Sequence, residues 1–370
     1  MLERFGHGGD LRTAQELYGI EADRYLDFSA NMNPFGPPPC VAEVLRNYAD
    51  QIGRYPDPAV RGLRRKLADH HNVDEASVLV GNGAAELIDL AVQLLKPAVT
   101  VLTAPCFNEY GDAARKCGSR IRMLQLEPQA QFKLTQEAIL SLLKQLREEG
   151  TAAGQTLWFL GSPNNPTGQL IEPELVRLLV REGEIVAVDE AFMDFVTDTD
   201  CWSLLREAAS CTRLIVIRSM TKFYAIPGIR LGYLVAGASL VRAMGELQIP
   251  WSVNSLAQLI GEAVLDETDY GDQTIKWLQT ERPWFVEQLS ALGLLVYEGK
   301  VNYVLFQIPD RFGWSSRQLQ HALGTRGILI RDASGYEGLN GSYCRSALRF
   351  REDHVRLLGE LRNLLGKPAE

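Results

Sequence analysis

Residues 77–104 read SVLVGNGAAELIDLAVQLLKPAVTVLTA. SVLVG is a short apolar run closed by glycine, the pattern of a buried strand. The glycine-rich turn that follows opens a helix through NGAAELIDLAVQLL, and TVLTA begins a second strand that stops at Pro105. A strand, a helix and another strand in this order form a crossover unit, which makes the two strands parallel.

Reading outward from this unit, the pattern repeats. FNEYGDAARKCG is a helix, RIRMLQL a strand, residues 135–149 a helix and TLWFLG a strand. A loop of Pro, Asn and Gly precedes a helix near 172–182, and EIVAVDEA, LIVIRS and IRLGYLVA are strands. The spacing therefore predicts an α/β protein with a mostly parallel sheet covered by helices on both faces. In such folds ligand chemistry gathers at the loops beyond the carboxyl ends of the strands. Ahead of the unit lie a short strand at 25–28, a turn-rich loop, and helices at 40–49 and 60–71. Beyond about residue 245 the texture changes. Helical stretches over 255–292 lead to the strands NYVLFQI, ILIRD and SALRF, with helices at 315–325 and 353–365. This divides the chain into a large domain, residues 35–245, and a smaller α+β domain from 246–370 together with 1–34.

The chain has 370 residues, 38 basic and 46 acidic, for a net charge of -8, which argues against a nucleic-acid binder. No apolar run approaches the ~20 residues that span a bilayer, and MLERFGHGGD has no apolar signal-peptide core, so the chain reads as cytoplasmic. The six cysteines include no CxxC pair and the five histidines no HExxH, so no metal site is expected.

Four loops carry residues suited to chemistry. GNGAAE (81–86) is either a tight turn or a helix start whose free N–H groups suit a phosphate. GSPNNPTG (161–168) is either a structural loop or one that sends an Asn amide to a ligand. EIVAVDEAF (184–192) ends in two carboxylates, which either cap and face solvent or hold Asp189 against a cation such as a protonated ring nitrogen. SMTKFYAIPGIRLGY (219–233) sets Lys222 and Arg230 in a short link between two apolar strands, where a lysine of suppressed charge is a nucleophile toward carbonyls. A phosphate cradle, an amide, a carboxylate, a lysine, a serine and an arginine, in that order, make the inventory that pyridoxal phosphate needs.

On these residues the sequence resembles the fold-type I pyridoxal-phosphate enzymes of the class I/II aminotransferase superfamily, over nearly the whole chain. The resemblance implies a three-layer fold and assigns roles. Lys222 would bond pyridoxal 5′-phosphate, Asp189 would pair with its ring nitrogen, and Asn165 would donate to the ring oxygen. Ser219, Arg230 and the backbone at Gly83 and Ala84 would hold the phosphate, and Phe107 would stack on the ring. Tyr55, in RYPD, would reach the cofactor phosphate of a neighbouring subunit, which implies a homodimer with shared sites.

Two branches of the superfamily compete, the histidinol-phosphate aminotransferases and the L-threonine O-3-phosphate decarboxylases of cobalamin synthesis. FGHGGD, DFSANMNPFGPP and IRDASGYEGLNGSYCRSALRF resemble the second, although the decarboxylase pattern often has Cys where Ala333 stands. Phe192 stands where the aminotransferases carry Tyr. The implied reaction is decarboxylation of threonine phosphate, with amino-group transfer to 2-oxoglutarate as the alternative. The implied substrate residues are His7, Gly8, Asn33, Arg331 and Arg345, with Arg349 in support. The cluster of Arg326, Arg331, Arg345, Arg349 and Arg351 suits a carboxylate or phosphate, or else faces solvent and nearby acids.

Overall fold

The computed structural model describes Leu2 and residues 8–366. The chain enters through helix Leu11–Tyr18, capped by Asp10, and strand β1 (Leu26–Asp27). Helices Pro39–Tyr48 and Arg61–His71 follow. Seven strands come next: β2 (Val78–Gly81), β3 (Val99–Ala104), β4 (Arg120–Gln125), β5 (Thr156–Gly161), β6 (Ile185–Asp189), β7 (Leu214–Ser219) and β8 (Gly232–Ala236). They form one sheet in the order β2-β8-β7-β6-β5-β3-β4. The strands from β7 across to β4 pair in parallel, while β8 runs antiparallel to both β7 and β2. The sheet is thus mostly parallel, as the crossover spacing predicts.

Side chains alternate between the faces of a strand, and here each face packs into its own core. Val78, Val80, Val99, Val101, Trp158, Leu160, Val186, Val188 and Val216 lie on one face, against Leu63, Leu67, Leu142 and Leu146 from helices. Leu79, Leu102, Leu157, Phe159, Ala187, Ile215 and Ile217 lie on the other, against Leu87, Ile88, Tyr110 and Ala113. Helix Ala238–Leu247, which lies outside the sequence expectation, adds Val241 and Met244 to this second face.

The rest of the chain supplies β9 (Leu295–Val296), β10 (Tyr303–Gln307), β11 (Ile328–Leu329), β12 (Arg331–Asp332) and β13 (Tyr343–Ala347), with helices Ser255–Val264, Thr268–Ala291, Ser316–Gly324 and Arg351–Leu365. A four-stranded sheet has the order β12-β13-β10-β9, and β1 pairs with β11. The expected single strand ILIRD is divided at Ile330. Leu26 takes Ile328 as its partner, while Arg331 pairs with Arg345, so the two halves serve different sheets. The pairing of β1 with β11 ties the beginning of the chain to its last hundred residues. Among the described residues no helix is long and apolar enough to cross a membrane, and no group of His, Cys, Asp and Glu is arranged to hold a metal ion.

Candidate active site

The parallel strands end in a common row. Gly161 is level with Asp189 on β5 and β6, Ser219 is level with Gly232 on β7 and β8, and Gly232 is level with Gly81 on β2. Beyond this row opens a cleft of about 510 Å³. Gly8, Gly83, Ala84, Phe107, Asn165, Asp189, Ser219, Lys222, Arg230, Arg331 and Arg345 all line it.

Strand alternation explains which carboxylate faces the cleft. Asp189 follows Ala187 on the face covered by Leu87 and Tyr110, whereas Glu190 continues Val186 and Val188 on the opposite face. There Glu190 is buried and accepts from Arg218 Nε at 2.9 Å, Ser203 Oγ at 2.7 Å and Leu204 N at 2.9 Å. Asp189 Oδ2 accepts from the Tyr110 hydroxyl at 2.7 Å, and Oδ1 from Ala191 N at 2.9 Å. Burial pushes the Asp189 carboxyl up from its ordinary range, while the Tyr110 hydroxyl, the Ala191 amide and the Lys222 charge draw it back. A carboxylate in this setting gains from any further cation.

Lys222 sits in the short helix Met220–Phe223, directly after β7. Its amine opens to the cleft, but the surroundings are mostly protein. Burial, helped by the guanidiniums of Arg230 and Arg345 and opposed by Asp189, pushes it down to about 8. Beside it the Ser219 and Thr221 hydroxyls lie 2.8 Å apart.

The glycine-rich turn does act as a helix start. Gly83, with φ of +80°, is the cap of helix Ala84–Leu95. A Cβ on Gly83 would stand 2.7 Å from Arg230 Nη2, and one on Gly232 would stand 2.7 Å from Ala84 N. Both positions must stay bare for Arg230 and β8 to close on the helix N-terminus, whose first N–H groups have no partner within the helix. The result is a compact anion-binding corner.

Asn165 Oδ1 accepts from Arg345 Nη1 at 2.5 Å and from the Tyr336 hydroxyl at 3.2 Å. Arg345 Nη2 also donates to Ser29 O at 2.7 Å. Arg331 and Arg345 are 4% and 5% exposed and face each other directly across β12 and β13. Phe107 packs edge-on against Tyr110, whose ring stacks on Phe159.

Two expected residues are placed otherwise, and a third cannot be placed. Asn33 is 2% exposed and lies behind the cleft wall. Its amide donates to Phe223 O and Thr274 Oγ1, and its oxygen accepts from Phe35 N, so the side chain is spent on packing the entry loop. The asparagine of this segment that lines the cleft is Asn31, whose buried Oδ1 has no hydrogen-bond partner among the described residues. Tyr55 is 83% exposed, outside the cleft, with its ring against Trp251. His7 lies outside the described residues.

The sequence reading also passes over Tyr110, Thr221 and Tyr336. Tyr110 carries a usable signal, because it lies three residues after Phe107 at the start of a helix, a spacing that shares a face. Nothing local distinguishes Asn31 from Asn33. The chain turns between them, with Met32 N donating to Ala30 O and Asn33 N to Lys222 O.

Residues 23–350 match the aminotransferase class I and II family. The threonine-phosphate decarboxylase of Salmonella typhimurium is 39% identical over 97% of this chain and 96% of its own length. The crystal structure of the histidinol-phosphate aminotransferase from Clostridium acetobutylicum superposes with a TM-score of 0.83 at 27% identity, covering 92% of this chain and 99% of that one. The fold is shared equally with the histidinol-phosphate aminotransferase of Sinorhizobium meliloti, solved in complex with pyridoxal-5′-phosphate, at a TM-score of 0.84 and 19% identity over 96% and 94% of the two chains. This chain belongs to the aminotransferase class I and II family.

Proposed function

We propose that the protein decarboxylates L-threonine O-3-phosphate to (R)-1-amino-2-propanol O-2-phosphate, with pyridoxal 5′-phosphate as cofactor, in service of the cobalamin nucleotide loop. The residues of the cleft fit that cofactor. The bare corner at Gly83 and Gly232, closed by Arg230, matches a phosphate. Asp189 lines the same cleft and would pair with a ring cation, and the Lys222 amine is pushed down to about 8. When bound, pyridoxal phosphate withdraws electrons from the carbon next to the substrate amine.

The observation that carries the choice of substrate is the pair Arg331 and Arg345. The two stand on facing positions of β12 and β13, both buried and both lining the cleft. A substrate with two anionic groups would meet a guanidinium for each. Guanidiniums bind carboxylates and phosphates in a forked geometry, which fixes orientation as well as position.

In this reading Arg331 and Arg345 would hold the substrate phosphate and carboxylate at the cleft wall, and the Cα–carboxylate bond would be the one weakened by the bound cofactor's electron withdrawal. That bond breaks, carbon dioxide leaves, and a proton takes its place at Cα. Lys222, facing the cleft from the end of β7, is placed to handle that proton. Residues 35–245 hold the cofactor, and residues 1–34 with 246–370 cover the substrate. Gly8 lines the cleft, and Gly9 N donates to Ser29 Oγ at 2.8 Å, which in turn donates to Asp27 Oδ1 at 2.6 Å. These bonds tie Gly8 and Gly9 down beside Ser29, whose carbonyl accepts from Arg345.

The protein works as a homodimer in this proposal. Tyr55 and Trp251 pack together at the surface, and Ile52 and Ile249 are exposed too; such apolar side chains suit a second copy, which would bring Tyr55 toward the partner's cofactor phosphate. The test of the reaction is direct. Purified protein supplied with cofactor should release carbon dioxide from L-threonine O-3-phosphate without any keto acid. Turnover of histidinol phosphate with 2-oxoglutarate, and no carbon dioxide, would overturn the reading.

A further inference from the structure

Tyr336 lies in the loop between β12 and β13, and its side chain is buried against the cleft. Its hydroxyl donates to Asn165 Oδ1 at 3.2 Å and accepts from Arg345 Nη1 at 3.1 Å. Its ring lies 5.5 Å from the Arg331 guanidinium, within cation–π range. One side chain therefore touches both guanidiniums and the amide.

The bonds at Asn165 settle the orientation of its amide. Two donors, Arg345 Nη1 and the Tyr336 hydroxyl, point at one atom, so that atom is the oxygen. Nδ2 is then the end left to donate to a ring oxygen. Arg345 keeps a donor for a substrate carboxylate, since its buried Nε has no hydrogen-bond partner among the described residues. Its Nη2 is engaged by Ser29 O, and its Nη1 is shared between Asn165 and Tyr336. A carboxylate that draws the guanidinium toward itself weakens the 2.5 Å bond to Asn165. Tyr336 carries no charge that a carboxylate would draw away, and its hydroxyl stays on Oδ1.

The base of the loop is held. Asp332 accepts from Ser316 Oγ at 2.6 Å, Ser334 N at 3.0 Å and Ser334 Oγ at 2.9 Å. A fourth bond joins Asn108 Nδ2 to Gly335 O at 3.5 Å. The loop thus presents Tyr336 from a fixed footing.

We infer that Tyr336 is a positioning residue that keeps Asn165 aimed at the cofactor ring oxygen while Arg345 engages the substrate, coupling the substrate arginines to the cofactor. The inference rests on the cofactor reading given above. Tyr336→Phe removes one hydroxyl and keeps the ring beside Arg331. With pyridoxal phosphate bound, the pH midpoint of the cofactor's absorbance change should move in Y336F in the same direction as in N165A. The double variant Y336F/N165A should show the midpoint of N165A alone, because the hydroxyl acts through the amide. KM for L-threonine O-3-phosphate should rise about tenfold in Y336F.

An unmoved midpoint in Y336F, beside a moved one in N165A, overturns the positioning role alone. Additive shifts in the double variant overturn it as well. If neither N165A nor K222A alters the cofactor spectrum, the cofactor reading fails and takes this inference with it.

Discussion

Lys222 shows how a single side chain takes its chemistry from its place. Burial is the largest cause of its lowered value near 8, and Arg230 and Arg345 add to it. For a cation whose folded value is lowered, the neutral amine gains as pH rises through that value. Capture of pyridoxal phosphate by the cofactor-free protein should therefore speed up by roughly tenfold per pH unit below 8 and level off above it. Stopped-flow absorbance between pH 6 and 9 measures this, and a flat profile would contradict it. The same scale separates the two asparagines of the entry loop. Asn31→Ala should raise KM for the phosphorylated substrate and leave stability nearly unchanged. Asn33→Ala should leave KM alone and lower unfolding stability by about 1–3 kcal/mol, because it strips buried partners of their bonds. Urea titration and initial rates on both variants decide the matter. The sequence shows that this loop matters, but not which asparagine faces inward. That choice depends on the turn at Ala30–Met32 and on a bond to Lys222 O, almost two hundred residues away.

At the scale of elements, the crossover units are legible because their signals are local. An apolar run of strand length, a glycine and a helix of amphipathic spacing need no partner to be read. Even the division of labour between Asp189 and Glu190 follows from strand alternation once the two faces are known. The short pieces are legible only in part. β11 and β12 look like one strand, and they separate because β1 and β13 compete for the two ends. The segment around Gly8 and Gly9 belongs to this scale too, because its seat is made by Asp27 and Ser29. Removal of residues 2–9 should leave cofactor binding intact and raise KM for threonine phosphate by tenfold or more. Equilibrium dialysis with pyridoxal phosphate, run beside the kinetics, checks both halves. Loss of cofactor from the shortened chain would contradict the assignment of the segment to substrate.

The whole molecule places the two guanidinium-bearing regions of the cleft on different parts of the chain. Arg230 and the helix start at Ala84 come with the seven-stranded sheet, and Arg331 and Arg345 come with the four-stranded one. The exposed side chains of Ile52, Tyr55, Ile249 and Trp251 belong to this scale as well. Sedimentation should find a dimer for the native protein and a monomer for Ile52→Glu/Ile249→Glu. Cofactor affinity should fall in the monomer, since Tyr55 would then have no neighbour to reach. A monomer that retains full affinity would contradict shared sites. The bond that breaks at Cα separates decarboxylation from amino-group transfer, and one measurement reads it without intermediaries. L-threonine O-3-phosphate labelled with ¹³C in its carboxylate is incubated with the cofactor-loaded protein, in the presence of 2-oxoglutarate. The proposed decarboxylation predicts one labelled carbon dioxide for each 1-amino-2-propanol O-2-phosphate formed and no glutamate. Label retained in a keto acid, with glutamate accumulating, would contradict it.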